Sequence, residues 1–249
     1  DSSDMQSVSA FSVTSGALRW KKEIVTEASW RSPIIWSEKD REILCVWSGR
    51  ENLYLYQTSD GKELLHITDI ILGSGDPVAS PVYCNGQLYL AGSDRVVSIA
   101  TERALNGKKY ALKSYTTDDF VETKDMESLS SVTDIALEGL GPVCSTPALR
   151  SPYLVMIGDM GEMHCFDIKS GAQLWKETLK ATYSSPLIAG NYVYTVDTQG
   201  ELFVIKLSEQ FLKVQQLGLN EQVYSSLVAS HGKLYVRTDS HLYCLGVKK

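Results

Sequence analysis

Between Asp159 and Trp175 the stretch DMGEMHCFDIKSGAQLW sets a histidine, a thiol and a carboxylate side by side: His164, Cys165 and Asp167. Such a set could act as base, nucleophile and orienting acid, or ligate a metal. Its spacing argues against both. Alternate residues of a strand point to opposite faces, so His164 faces away from Cys165, while Cys165 and Asp167 share a side. Asp167 stands where a carboxylate accepts hydrogen bonds from the N–H groups of a turn closing at Gly171. The other histidines, His66, His231 and His241, show no ligand spacing, and His231-Gly232 reads as a turn. Five cysteines, Cys45, Cys84, Cys144, Cys165 and Cys244, form neither a CxxC nor an adjacent pair. They read mainly as small buried hydrophobes, with one disulfide left open.

The elements that must position these residues are announced by a repeat. Five phrases recur: WRSPIIW around Pro33, VASPVYC around Pro81, CSTPALR around Pro147, YSSPLIA around Pro186, and YSSLVAS with Leu227 in the proline position. Each precedes two short runs rich in Val, Ile, Leu and Tyr, such as EILCVW then NLYLYQ, or YVYTVD then LFVIKL. From Pro33 to Pro81, Pro147, Pro186 and Leu227 the successive intervals are 48, 66, 39 and 41 residues. About 40 residues suits one four-stranded propeller blade. Turn chemistry at Ser59-Asp60-Gly61, Asn85-Gly86, Met160-Gly161 and Gln199-Gly200 predicts antiparallel hairpins, with no amphipathic helix required. Such sheets cannot bury both faces alone, so they must stack, and radial closure protects their edges best. A proline opening the innermost strand costs the ladder nothing. The expected fold is all-β, a β-propeller of four-stranded antiparallel blades, about five to six of them, in a single domain over 1–249. The long interval holds a polar segment, 103–141, expected to be a decorated outer strand plus a surface loop.

Bulk properties narrow the function. With 249 residues, 43% hydrophobic and 22% charged, the chain has ample core for a globular domain. A formal net charge of −6 leaves no electrostatic footprint for nucleic acid. No apolar run approaches the ~18–20 residues of a membrane-spanning helix. The start, DSSDMQSVSAF, lacks the basic and apolar regions of a signal peptide.

CFDIKSGAQLW (Cys165 to Trp175) aligns in frame with AFSVTSGALRW (Ala10 to Trp20): Gly171 and Gly16 share the turn, and Trp175 and Trp20 follow four residues later. Both resemble the docking motif Ala-x-Asp-x-x-Thr-Gly-x-x-x-Trp of the pyrroloquinoline-quinone-type propeller repeat. LYQTSDGKELL keeps Gly61 but has Leu65 at the Trp place. The resemblance implies that Gly16, Trp20, Asp167, Gly171 and Trp175 dock neighbouring blades. It extends to secreted or envelope propellers of bacteria similar to the outer-membrane assembly lipoprotein, and such propellers usually have seven or eight blades. The chain is accordingly expected to be part of a larger ring. A ring of six blades or fewer is the alternative, including a five-bladed one closed by pairing the Trp20 strand with the last blade.

Catalytic members of this repeat class hold the quinone and a calcium ion with carboxylates, a catalytic Asp and, in many, adjacent cysteines. The chain has no adjacent cysteines and no acidic cluster outside the 103–141 segment. No catalytic residue, cofactor or metal is therefore expected. The expected role is a non-enzymatic scaffold for protein partners in the cell envelope, periplasmic or extracellular. A quinone-binding oxidoreductase or its remnant, and a glycan-binding propeller, are the alternatives. Propellers bind at the mouth of the axial channel or between blades, and the residues just before each inner strand, Trp30 and Arg31, Val78, Cys144, Tyr183 and Tyr224, should crowd the axis. Their aromatic rings would form a platform for a partner or sugar, or else fill the channel and the blade interfaces.

Overall fold

A computed structural model describes residues 5–25, 29–49, 51–70, 72–73, 78–101, 105, 109–111, 127–128, 132–141 and 143–246. The described strands form six sheets in sequence. The first pairs β1 (Met5–Phe11) with β2 (Leu18–Val25). The second runs β3 (Ile34–Glu38), β4 (Arg41–Ser48), β5 (Asn52–Gln57) and β6 (Glu63–Thr68). In the third, β7 (Val82–Cys84), β8 (Gln87–Ala91) and β9 (Arg95–Ala100) are completed by a strand from much later in the chain. That strand, β12 (Val132–Ala136), follows β10 (Lys109–Ala111) and β11 (Glu127–Ser128).

The fourth sheet is β13 (Ala148–Arg150), β14 (Tyr153–Ile157), β15 (Glu162–Asp167) and β16 (Gln173–Thr178). The fifth is β17 (Leu187–Ala189), β18 (Tyr192–Val196), β19 (Glu201–Lys206) and β20 (Lys213–Gly218). Three strands, β21 (Val228–Ser230), β22 (Lys233–Arg237) and β23 (Leu242–Leu245), make the sixth. Four of the five inner strands, β3, β7, β13 and β17, open one residue after a repeat proline, and β21 opens after Leu227. The fold is an all-β propeller of antiparallel blades.

Each interface between neighbouring sheets holds its own apolar cluster, and the five clusters are the core. Ile24 meets Tyr54 and Tyr56 between the first two sheets, and Leu53 and Leu65 meet Leu88 and Ile99 between the next two. Tyr89 and Ile135 meet Leu154 and Phe166, Val155 and Trp175 meet Val193 and Phe203, and Val196 meets Val236. Along β14, even-numbered residues enter one cluster and odd-numbered residues the next, as strand alternation requires. The middle strands β5, β9 and β15 therefore bury four residues in a row, because both faces of the sheet are covered. A two-sided strand of this kind leaves no polar face for chemistry.

Two features bear on the sequence readings. The alternative ring closed by pairing the Trp20 strand with the last blade is not seen among the described residues: β2 takes β1 as its neighbour, and β23 takes β22. The pairing is also not wholly antiparallel. Of the 103–141 segment, positions 103–104, 106–108, 112–126 and 129–131 lie outside the described residues. What is described does not stay within its own blade. β10 joins the outer edge of the second sheet parallel to β6, and β11 adds parallel to β10, before β12 returns as the fourth strand of the third sheet.

Candidate functional site

The stretch that looked reactive packs as core. His164 and Cys165 are both fully buried. His164 lies against Phe166, with ring centroids 5.8 Å apart, whereas Cys165 belongs to the opposite interface. Burial lowers the His164 pKa and pushes the Cys165 thiol up to about 12, so the imidazole is neutral and the thiol protonated. Asp167 Oδ1 accepts the N–H groups of Lys169 (2.9 Å) and Ser170 (2.8 Å) and the Ser170 hydroxyl. Those bonds hold its carboxyl below the ordinary range. They tie a turn in which Gly171, at φ 73°, donates its N–H to the Asp167 carbonyl.

The two tryptophans of the motif reach the next blade in the same way. Trp20 Nε1 donates to the Thr58 carbonyl (2.7 Å) and Trp175 Nε1 to the Ser208 carbonyl (3.0 Å). The Trp20 ring lies flat on Gly61, where a Cβ would stand 2.7 Å from Cδ2. Trp175 is 7% exposed and meets Phe211 edge-on. Gly16, like Gly61, has φ 69° and donates within its own turn, to the Ser12 carbonyl.

The positions expected at the channel mouth adjoin a device that the sequence shows only as a Ser or Thr before each anchor. Ser32 N–H donates to Ser80 Oγ (3.0 Å), Ser80 N–H to Thr146 Oγ1 (3.1 Å), Thr146 N–H to Ser185 Oγ (2.9 Å) and Ser185 N–H to Ser226 Oγ (2.9 Å). This belt of hydroxyls runs from the second sheet to the sixth and fixes the inner strands in one register. The residues two positions earlier, Trp30, Val78, Cys144, Tyr183 and Tyr224, thereby hold equivalent places on successive sheets. Trp30, Tyr183 and Tyr224 are 66%, 52% and 55% exposed. Tyr183 and Tyr224, on neighbouring blades, stack at 6.3 Å. Val78 and Cys144 are half-buried.

Arg31 does not join them. Its guanidinium lies 3.7 Å over the Trp47 ring and donates to the Trp47 and Gly49 carbonyls, because these acceptors end the second strand of its own blade. In the equivalent place Ser145 Oγ donates to the Ile157 carbonyl and Ser225 Oγ to the Arg237 carbonyl. Asp159, which sequence reasoning missed, receives the Cys144 N–H (2.8 Å) on Oδ1 and the Cys144 thiol (3.1 Å) on Oδ2. Burial and this carboxylate push the thiol up to about 11, which keeps it protonated. In the loop between β20 and β21, Glu221 gathers Thr238 Oγ1, His241 Nδ1 (2.7 Å) and Tyr243 OH (3.1 Å). All five cysteines are free thiols. Among the described residues no three His, Cys, Asp or Glu side chains gather as metal ligands.

Against known proteins, the family described as outer membrane protein assembly factor BamB matches residues 4–110 and 124–216. The chain belongs to the BamB family. A curated relative, outer membrane protein assembly factor BamB of Marinobacter adhaerens, is 27% identical over 74 residues, covering 30% of this chain and 19% of the relative. The crystal structure of BamB from Moraxella catarrhalis superposes with a TM-score of 0.68 at 13% identity, over 95% of this chain and 62% of that one. A chain in the crystal structure of a mitotic checkpoint complex gives 0.66 at 14% identity, over 98% and 69%. The computationally designed Ika4 protein gives 0.52 at 13%, over 76% and 99%. At these identities the structural likeness speaks to the fold. The chain spans less than two thirds of the length of either BamB relative.

Proposed function

We propose that this BamB-family propeller is a non-catalytic scaffold that binds protein partners in the bacterial cell envelope, on its periplasmic or extracellular side, in the service of outer-membrane protein assembly. One observation supports the reading: a belt of hydroxyl hydrogen bonds links the starts of five inner strands, and Trp30, Tyr183 and Tyr224, each two positions before a belt residue, are more than half exposed. Pre-ordered aromatic surface favours recognition, because binding need not first order it. Asp159, on the turn after β14, is engaged in holding Cys144. Envelope placement rests on the role printed for the family. Among the described residues no helix is long and apolar enough to cross a membrane.

The test is site-specific photocrosslinking in envelope fractions, with a benzophenone amino acid replacing Tyr183 at the mouth, Leu217 on the outer strand β20, or Leu242 on β23. A discrete adduct to an outer-membrane assembly protein, from at least one site, is expected. Absence of any discrete adduct from all three sites overturns the scaffold reading.

A further inference from the structure

We propose that the joint between the third and fourth sheets is an acid-sensitive hinge, which loosens when the buried imidazole of His164 takes up a proton. The inference goes beyond the scaffold reading and does not depend on it, because the folded chain alone can display the change.

The chain has four histidines, and three of them have polar partners. His66 Nε2 lies 3.1 Å from Asn52 Oδ1, His231 Nδ1 2.8 Å from Ser230 Oγ, and His241 Nδ1 2.7 Å from Glu221 Oε1. His164 is fully buried, and neither of its ring nitrogens has a hydrogen-bond partner. It packs with Phe166 on the face of β15 that meets the third sheet. The strand registers put Tyr54, Val97 and Phe203 at the corresponding places on β5, β9 and β19. An apolar or aromatic body is therefore what the place requires. The imidazole fills it while neutral, and a second proton would leave a buried cation with no acceptor.

The surrounding groups do not offset that charge. Lys176, opposite His164 on β16, brings a like charge, and its Nζ donates to the Gly139 carbonyl (3.3 Å) just past β12. Burial first, and Lys176 second, hold the His164 pKa below its ordinary value of 6.5, against the weaker opposite influence of Gln173 and Glu162. Glu162, two residues back on the same face, is half-buried and leaves Oε2 without a hydrogen bond. β14 contributes only Leu154 and Met156 to this cluster. The third sheet contributes Ile135 and Leu137, with Cys84 and Tyr89 as its titratable groups there. Asp94 and Glu138, on the turns beside this joint, are exposed. Arg95 shares the face of Val97, toward the second sheet.

An unfolded chain protonates this side chain as the pH falls past 6.5, whereas the native fold resists, so the native state binds fewer protons in that window and loses stability there. The contribution of the neutral ring is complete above pH 6.5 and is lost as the pH falls from there through the folded-state value. The strain is confined to one interface of a repeat array, so local opening relieves it. A propeller hinged here would change the spacing between surfaces on its first three and last three sheets.

The test is native-state hydrogen exchange of the folded chain at pH 7.5 and 5.5, corrected for intrinsic exchange chemistry, beside NMR titration of isotope-labelled histidine rings. Protection at β12 and β16 is expected to fall at least about five-fold more in the unaltered chain than in His164→Phe, since each unit of pKa depression is worth ten-fold. β18 should respond alike in both. Lys176→Met should shrink the acid response and Glu162→Gln should enlarge it, while His241→Gln should leave β12 and β16 unchanged. The His164 ring should titrate below 6.5.

An acid response at β12 and β16 as large in His164→Phe as in the unaltered chain, or a His164 ring that titrates at 6.5 or above, would overturn the proposal. The ring titration decides the matter even where a variant does not fold. The crosslinking outcome bears only on the scaffold reading, so each can fail without the other.

Discussion

At the scale of single residues, the interblade joint is a tryptophan laid on a turn that has no room for a side chain. Trp175→Ala opens a cavity between the fourth and fifth sheets and should cost roughly 3–5 kcal/mol, read from urea denaturation; an unchanged midpoint would show that the ring is not a wedge. Two glycines give a finer test. Gly16 and Gly61 share φ 69°, but a Cβ on Gly16 meets nothing within 4 Å, whereas on Gly61 it strikes the Trp20 ring. Gly16→Ala should therefore cost only backbone strain, about 1–2 kcal/mol. Gly61→Ala should cost clearly more, and equal losses would refute the packing. At Cys144 the prediction is kinetic. Its folded-state pKa lies above the ordinary thiol value, so the native protein keeps the proton after an unfolded chain has lost it. Any stability this group contributes is complete below pH 9 and declines as pH rises toward 11. In a Cys84→Ser, Cys244→Ser background, alkylation of Cys144 should stay slow at pH 8 and accelerate toward pH 11. Asp159→Asn should move that acceleration to lower pH.

At the scale of elements, the belt explains why a hydroxyl precedes each inner strand. Ser185→Ala removes the acceptor of the Thr146 N–H, at a cost of about 1 kcal/mol because the bond is partly exposed. Ser185→Thr keeps the oxygen and should restore the stability; a Thr variant as weak as Ala would mean that the belt is incidental. Much of this level was legible in the chain. The proline anchors, the Asn-Gly and Gly turns and the Trp motif mark strands through local chemistry, and local chemistry is what a sequence displays. The excursion of β10 to the edge of the neighbouring sheet was not legible, because three residues of parallel pairing carry no period of their own. The role of Asp159 was hidden for another reason: a turn aspartate is ordinary until the fold places it beside Cys144, fifteen positions away in sequence. Arg31 beside Trp30 looked like a ligand group because sequence adjacency cannot show that one side chain stays exposed while the other turns back on its own blade.

At the scale of the whole molecule, five separate interface clusters make stability a sum of nearest-neighbour terms, as in other repeat arrays. The fourth sheet, four strands wide, is covered on both faces. Among the described residues the first sheet has two strands and the sixth three, and Phe11, Leu18, Val228 and Leu242 stand more than half exposed on them. Opening free energy should therefore be graded along the chain and not uniform. Native-state hydrogen exchange should find the slowest amides in β14 and β15, with β1, β2, β22 and β23 exchanging through local openings well below the global barrier. Trp175→Ala then becomes a test of coupling as well as of packing. If neighbours carry the energy, it should speed exchange in the fifth and sixth sheets, which depend on the fourth, more than in the second. Uniform acceleration across all six sheets would instead mean that the propeller unfolds as one cooperative unit.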